Sequence, residues 1–131
     1  MDMAISFNHT IVAARDREES AAYFTELFGL PPAKEFGPFL AVALEHGASL
    51  DFAQAPADRD IQPQHYAFLV DEADFDAIYG RIQQRGQRHW ADPRQTRVDQ
   101  INHHDGGRGV YFQDPSGHYL EIITRPYGSG G

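Results

Sequence analysis

The chain has no cysteine. Disulfides, thiolate nucleophiles and cysteine-based zinc or iron–sulfur sites are therefore excluded, and the absence fits a cytoplasmic protein. Basic residues are scarce: 11 Lys and Arg stand against 19 Asp and Glu, for a formal net charge of −8. Such a surface repels phosphate backbones, and no Lys/Arg run longer than two residues offsets it, so nucleic acid is not an expected partner. Long apolar runs are missing as well. None approaches the roughly 20 residues needed to cross a bilayer, and no membrane partner is expected. Met1 to Ser6 contain neither a basic nor an apolar targeting region, so no signal peptide is expected. The Gly-rich step near Gly106 and Gly107 lacks the lysine and hydroxyl of a phosphate loop.

What the chain does have is apolar material for a core. Hydrophobic residues make up 41% and aromatics 12%, with nine Phe and six Tyr among 131 residues. Length and composition together indicate one compact domain or two half-size modules sharing a core.

The order of elements repeats. Ile5 to Ala13 reads as a strand, and Asp16 opens a helix with Glu19 in capping-box spacing. Tyr23, Phe24, Leu27 and Phe28 form its apolar face, and Gly29 stops it before Pro31 and Pro32. Lys34 to Phe36, Phe39 to Leu44 and Ala48 to Ala53 read as strands, the last two joined at Glu45-His46-Gly47. In the second half, His65 to Val70 is a strand, and Asp71 or Asp74 caps a helix with Phe75, Ile78, Tyr79 and Ile82 on one face, ended by Gly86. Gly109 to Gln113 and His118 to Thr124 are strands joined by the turn Asp114-Pro115-Ser116-Gly117.

The offsets agree. His9 and His65 lie 56 residues apart, Gly29 and Gly86 57, and Gly47-Ala48-Ser49-Leu50-Asp51 matches Gly117-His118-Tyr119-Leu120-Glu121 at 70. The extra 13 residues fall between Gly86 and Gly117, mostly from Trp90 to Arg108. An internal duplication of a strand–helix–strands module is the expectation, with module one at about 5–55 and module two at about 62–125 of a single domain, 1–131.

Alternation along strands then places the chemistry. Leu120 and Ile122 suit the helix-covered face, so Glu121 points the other way, and Asp51 likewise opposes Leu50 and Phe52. If the modules pair about a pseudo-twofold axis, His9, His65, Asp51 and Glu121 converge on one cavity. Two imidazoles and a carboxylate suit a divalent ion (Zn, Ni, Mn, Co or Fe) with positions left open for substrate oxygens. His9, His65 and Glu121 are the expected metal ligands, and Asp51 a fourth ligand or a proton-transferring base. The loop Gln100 to Arg108 reads as a lid from which His104 could also move a proton. Trp90 and Tyr119 are candidates for an aromatic pocket, His46 and His118 for exposed turn positions, and Gly128 to Gly131 for a frayed end.

These residues carry a resemblance. Phe7-Asn8-His9, Gln64-His65-Tyr66-Ala67-Phe68, and Gly109 through Glu121 with its aromatic-x-Asp-Pro-x-Gly-x-x-Leu-Glu pattern resemble the vicinal oxygen chelate superfamily. That group includes glyoxalase I, fosfomycin-resistance enzymes, extradiol dioxygenases and bleomycin-resistance proteins. The resemblance covers about residues 5–125. It implies an α+β fold of two tandem βαβββ modules, forming a cupped mixed sheet with helices on the outer face and often completed in a homodimer. It places the metal on His9, His65 and Glu121, with Asp51 where glyoxalase I has Glu. The expected function is a divalent-metal-dependent, glyoxalase-like isomerase or lyase acting on a small molecule with paired oxygens. The alternatives are an Fe(II) extradiol-type dioxygenase and a resistance protein that sequesters a drug or metabolite.

Overall fold

The computed structural model describes residues 4–130. Its first half runs β1 (His9–Ala14), α1 (Arg17–Phe28), β2 (Lys34–Phe36), β3 (Phe39–Ala43) and β4 (Ser49–Gln54). The second runs β5 (His65–Leu69), α2 (Glu72–Gln84), β6 (Gly109–Gln113) and β7 (Tyr119–Ile123). Two mixed sheets result, in the orders β1-β4-β3-β2 and β5-β7-β6. This is the expected α+β class. In each half the first strand lies parallel beside the last, and the remaining pairs are antiparallel.

Local chemistry sets the element ends. The Asp16 side chain accepts from Glu19 N at 3.1 Å and caps α1, and Asp71 does the same for α2 through Asp74 N at 2.7 Å. Gly29 ends α1 at φ 70°, the left-handed geometry that glycine adopts without a Cβ penalty. In the β6–β7 turn, Asp114 Oδ1 accepts from Ser116 N at 2.9 Å and His118 N at 2.8 Å. Burial raises the Asp114 carboxyl pKa, and those backbone N–H groups, together with His118, pull against the rise.

One core joins both sheets. Phe24 stacks on Phe28 at 4.2 Å between ring centroids, and both rings reach Phe68 of β5 at 5.2 Å. Phe24 also meets Phe52 of β4, and Phe28 meets Phe112 of β6. Helix α1 is thus the element that both sheets share. Full burial of a side chain such as Phe24 is worth roughly 1.5–3 kcal/mol. Val12, Leu50, Phe52, Leu120 and Ile122 point into this core, which turns the alternate positions His9, Asp51 and Glu121 to the opposite faces.

Three expectations need correction. The first strand begins at His9 rather than Ile5, and residues 5–8 are exposed. His118 is buried at 1% exposure: its Nδ1 accepts from Gln64 N at 3.0 Å, so its Nε2 must carry the proton donated to Ala13 O at 2.8 Å. The ring therefore bolts β1 to the segment entering β5. Gly128 and Gly130 of the expected frayed end are tied down, with their N–H groups on the Asp105 carboxylate at 3.0 and 3.3 Å. Gly131, and the start of the chain up to Met3, lie outside the described residues.

Candidate metal centre

Strand register brings out the duplication at the level of single residues. In the first sheet His9 pairs with Ser49, and Asp51 lies two residues further along β4. In the second His65 pairs with Tyr119, and Glu121 lies two residues further along β7. Each half therefore holds one imidazole and one carboxylate in the same relation on the same kind of face.

The two halves use that relation differently. His65 Nε2 lies 2.7 Å from Glu121 Oε1. Asp51, shorter by one methylene, takes the Ser49 hydroxyl at 2.9 Å instead, and His9 Nδ1 lies 2.7 Å from Asn8 Oδ1. His9 and Asp51 share a depression with Ser49, Lys34 and Phe36 on the first sheet. His65 opens into a different pocket. Among the described residues no three His, Asp or Glu side chains converge within the one chain. The structure thus brings His65 and Glu121 together and leaves His9 and Asp51 apart from them.

Glu121 is the residue whose surroundings call for a ligand. It is only 2% exposed, and its side chain meets His65 and the hydroxyls of Tyr127 and Tyr111. A buried carboxylate without a lysine or arginine is costly. Beside an imidazole nitrogen it is a donor set that suits a divalent cation of the first transition row. The residues present fit a metal.

The pocket at His65 has a volume of about 260 Å³ and is lined by Trp90, Tyr111, Phe112 and Tyr119, with Pro93, Arg94 and Gln95 at its polar side. Trp90 is held there by bridges to both Tyr111 and Val98. The aromatic lining expected of Trp90 and Tyr119 is present. The segment over the pocket is Pro93 to Gln95, however. His104 is exposed in a short helical turn, His104–Gly106, outside that lining.

Three further residues belong to the site. Tyr111 sits directly across from Glu121 in the β6–β7 pairing. Its hydroxyl pKa is pushed above the ordinary tyrosine value, first by burial and then by the Glu121 charge. The sequence analysis missed it, although the register of the Asp114–Gly117 turn carries the signal that could have found it. Tyr127 and Arg94 carried no such signal, since only the folding of loop and tail brings them in.

Comparison with known proteins identifies the family. The Glyoxalase/Bleomycin resistance protein/Dioxygenase superfamily profile matches residues 6–122. A solved structure titled Oxidase ChaP-H2 is 53% identical, covers 98% of this chain and 100% of its own, and superposes with a TM-score of 0.94. Oxidase ChaP-H1 is likewise 53% identical, over 95% of this chain and 99% of its own, with a TM-score of 0.91. The glutathione transferase FosA of Serratia marcescens is 31% identical over 127 residues, which is 92% of this chain and 81% of the relative. The chain belongs to the glyoxalase/bleomycin resistance protein/dioxygenase superfamily.

Proposed function

We propose that the protein is a metal-dependent oxidase of a small, planar, oxygen-bearing aromatic substrate, with the metal held by His65 and Glu121 of one copy and His9 of a second. The observation that carries this reading is the His65–Glu121 pair, at 2.7 Å, opening into a pocket walled by Trp90, Tyr111 and Tyr119. Two imidazoles and one carboxylate, with open positions, make the donor set of non-haem Fe(II) oxygenases. The 53% identity to proteins titled oxidases supports the same reaction class.

The second copy is supported by what the single chain leaves uncovered. Phe7, Ile11, Phe36 and Leu69 are 65%, 55%, 67% and 61% exposed. Ile11 shares the β1 face with His9, Phe7 lies just before that strand, and Leu69 shares the β5 face with His65. Apolar surface on the faces that bear the candidate ligands marks an interaction site. A second copy laid there would bring His9 to the incomplete pair.

When bound, a ferrous ion would supply one-electron chemistry and Lewis acidity toward paired substrate oxygens. The chain's own residues do the rest. Trp90, Tyr111 and Tyr119 hold a flat ring and exclude water, and Arg94 gives the pocket one cation for an anionic oxygen. The isomerase or lyase reading needs a side chain placed to move a proton. Asp51 of the second copy would arrive beside His9 with its carboxylate already held by Ser49, and His104 lies outside the pocket lining. Oxidation needs neither.

Anaerobic reconstitution with Fe(II), Mn(II), Co(II), Ni(II) and Zn(II), followed by oxygen uptake with hydroxylated polycyclic aromatics, tests the proposal. Uptake matched to substrate loss with Fe(II) is expected. Turnover of a methylglyoxal–glutathione adduct, or thiol addition to fosfomycin, with no oxygen uptake on any aromatic would overturn it. So would failure to bind any of the five ions.

A further inference from the structure

The second oxygen of Glu121 is already taken. Tyr127, in the segment after β7, donates its hydroxyl to Glu121 Oε2, and the Tyr111 hydroxyl lies 2.9 Å from the Tyr127 hydroxyl. Tyr127 gives its proton to the carboxylate, which leaves its oxygen open to accept from Tyr111, whose hydroxyl also stands within reach of Glu121. A relay of donors, Tyr111 to Tyr127 to Glu121, thus ends on the carboxylate oxygen that does not face His65. Hydrogen bonds linked in this way polarise one another and hold their members in place.

The tail that delivers Tyr127 is fastened on its far side. Both oxygens of Asp105 accept from it, Oδ2 from Gly128 N at 3.0 Å and Oδ1 from Gly130 N at 3.3 Å. Gly130 passes so close to the Asp105 backbone that a Cβ there would overlap it. Asp105 adopts φ 56°, a left-handed conformation that Asp and Asn tolerate better than most residues. Tyr127 is 54% exposed, so packing alone does not fix it. The Asp105 buckle and the bond to Glu121 do.

We infer that Tyr127 is a positioning residue that reserves one oxygen of Glu121 and keeps this carboxylate a one-oxygen ligand, with Asp105 holding the tail that presents it. The inference rests on the metal-site reading above. A divalent ion of this kind commonly takes six donors. Three single-atom protein donors leave three positions, enough for a chelating substrate and one further small ligand. A two-oxygen Glu121 would remove one of them.

The test compares Tyr127→Phe with the unaltered protein, using metal alone as the probe. Mn(II) titration is expected to show about 10–100-fold weaker binding, the usual cost of losing a partner of a metal ligand. Water-proton relaxation by the Mn(II)-loaded variant is expected to fall by about one third, as three open positions become two. A thermal melt within a degree or two would show that the fold is intact. Asp105→Asn keeps the left-handed backbone but loses one acceptor, and is expected to weaken binding by less than Tyr127→Phe. Unchanged water-proton relaxation in Tyr127→Phe would overturn the inference, because Glu121 would still bind through one oxygen, and so would equal affinity. Asp105→Asn matching the unaltered protein would overturn the buckle. If the unaltered protein binds no metal, the metal-site reading fails instead.

Discussion

Two defective chains should restore each other if the metal site is shared between copies. Let one chain carry His9→Ala and another Glu121→Ala. In each homodimer every site lacks one donor, and neither should retain much metal. In a mixed dimer the lesions segregate. One site receives the truncated His9 from the first chain and the truncated Glu121 from the second, so it loses both. The other receives an intact His9 from the second chain and intact His65 and Glu121 from the first. Random association makes about half of the dimers mixed, so about one site in four is whole, and purifying the mixed species through two affinity tags raises this to about one in two. The structural ground is the separation of His9 from the His65–Glu121 pair within one chain. Metal per chain, measured on the tag-purified mixed dimer, is the assay, with oxygen uptake as a second readout. A mixed dimer that holds no more metal than its parents would refute the shared site, because a site built within one chain carries a lesion in every copy.

Other outcomes follow from single residues. Trp90 is the only tryptophan and lines the His65 pocket, so Co(II) or an aromatic ligand entering there should quench most of the intrinsic tryptophan emission, and unchanged emission on saturation would place binding elsewhere. His118→Ala strands Gln64 N and Ala13 O together. At 1–3 kcal/mol for each unpaired group, urea unfolding should show a loss of about 2–6 kcal/mol, and a loss under 1 would show that water replaces the ring. Burial raises the Tyr23 pKa to about 12 from 10.0, against the opposing hydrogen bond to Gln87. Because the folded state favours the protonated phenol, this contribution is fully present below pH 10 and lost as pH rises through about 12, an upper limit of roughly 2–3 kcal/mol. Tyr23→Phe should flatten the alkaline limb of a stability–pH curve, and an unchanged limb would assign it to other groups.

Much of the fold is written in short-range signals. The Asp16 and Asp71 caps, the Gly29 stop and the Asp114–Gly117 turn each depend on residues within a few positions, and each forms. Alternation likewise put Leu120 and Ile122 in the core and Glu121 opposite. What escaped were long-range contacts. Nothing near His118 in sequence announces that Ala13 and Gln64 will close over it, and residues 5–8 look like strand although, among the described residues, the ladder reaches no further back than Asn8, whose carbonyl accepts from Ser49 N. In the site, the two His–acid pairs were visible as a repeat, yet their division between two sheets follows from strand pairing, which joins β1 to β4 and β5 to β7. Tyr127 sits in a Gly-rich tail whose composition argues for looseness, and the Asp105 carboxylate and the bond to Glu121 reverse that.

The matched register of the two halves has an evolutionary consequence. Copying one module made both carboxylate positions at once, so in a two-copy assembly each imidazole arrives with an acid beside it. One member of the pair, Asp51, is kept back by a single methylene and by the Ser49 hydroxyl. A change of Asp51 to glutamate, with Ser49 reduced to alanine, would lengthen that arm toward the centre proposed for its sister residue. Reaction type in such a scaffold can therefore drift by adjusting how many acids reach inward, while strands, helices and histidines stay where they are.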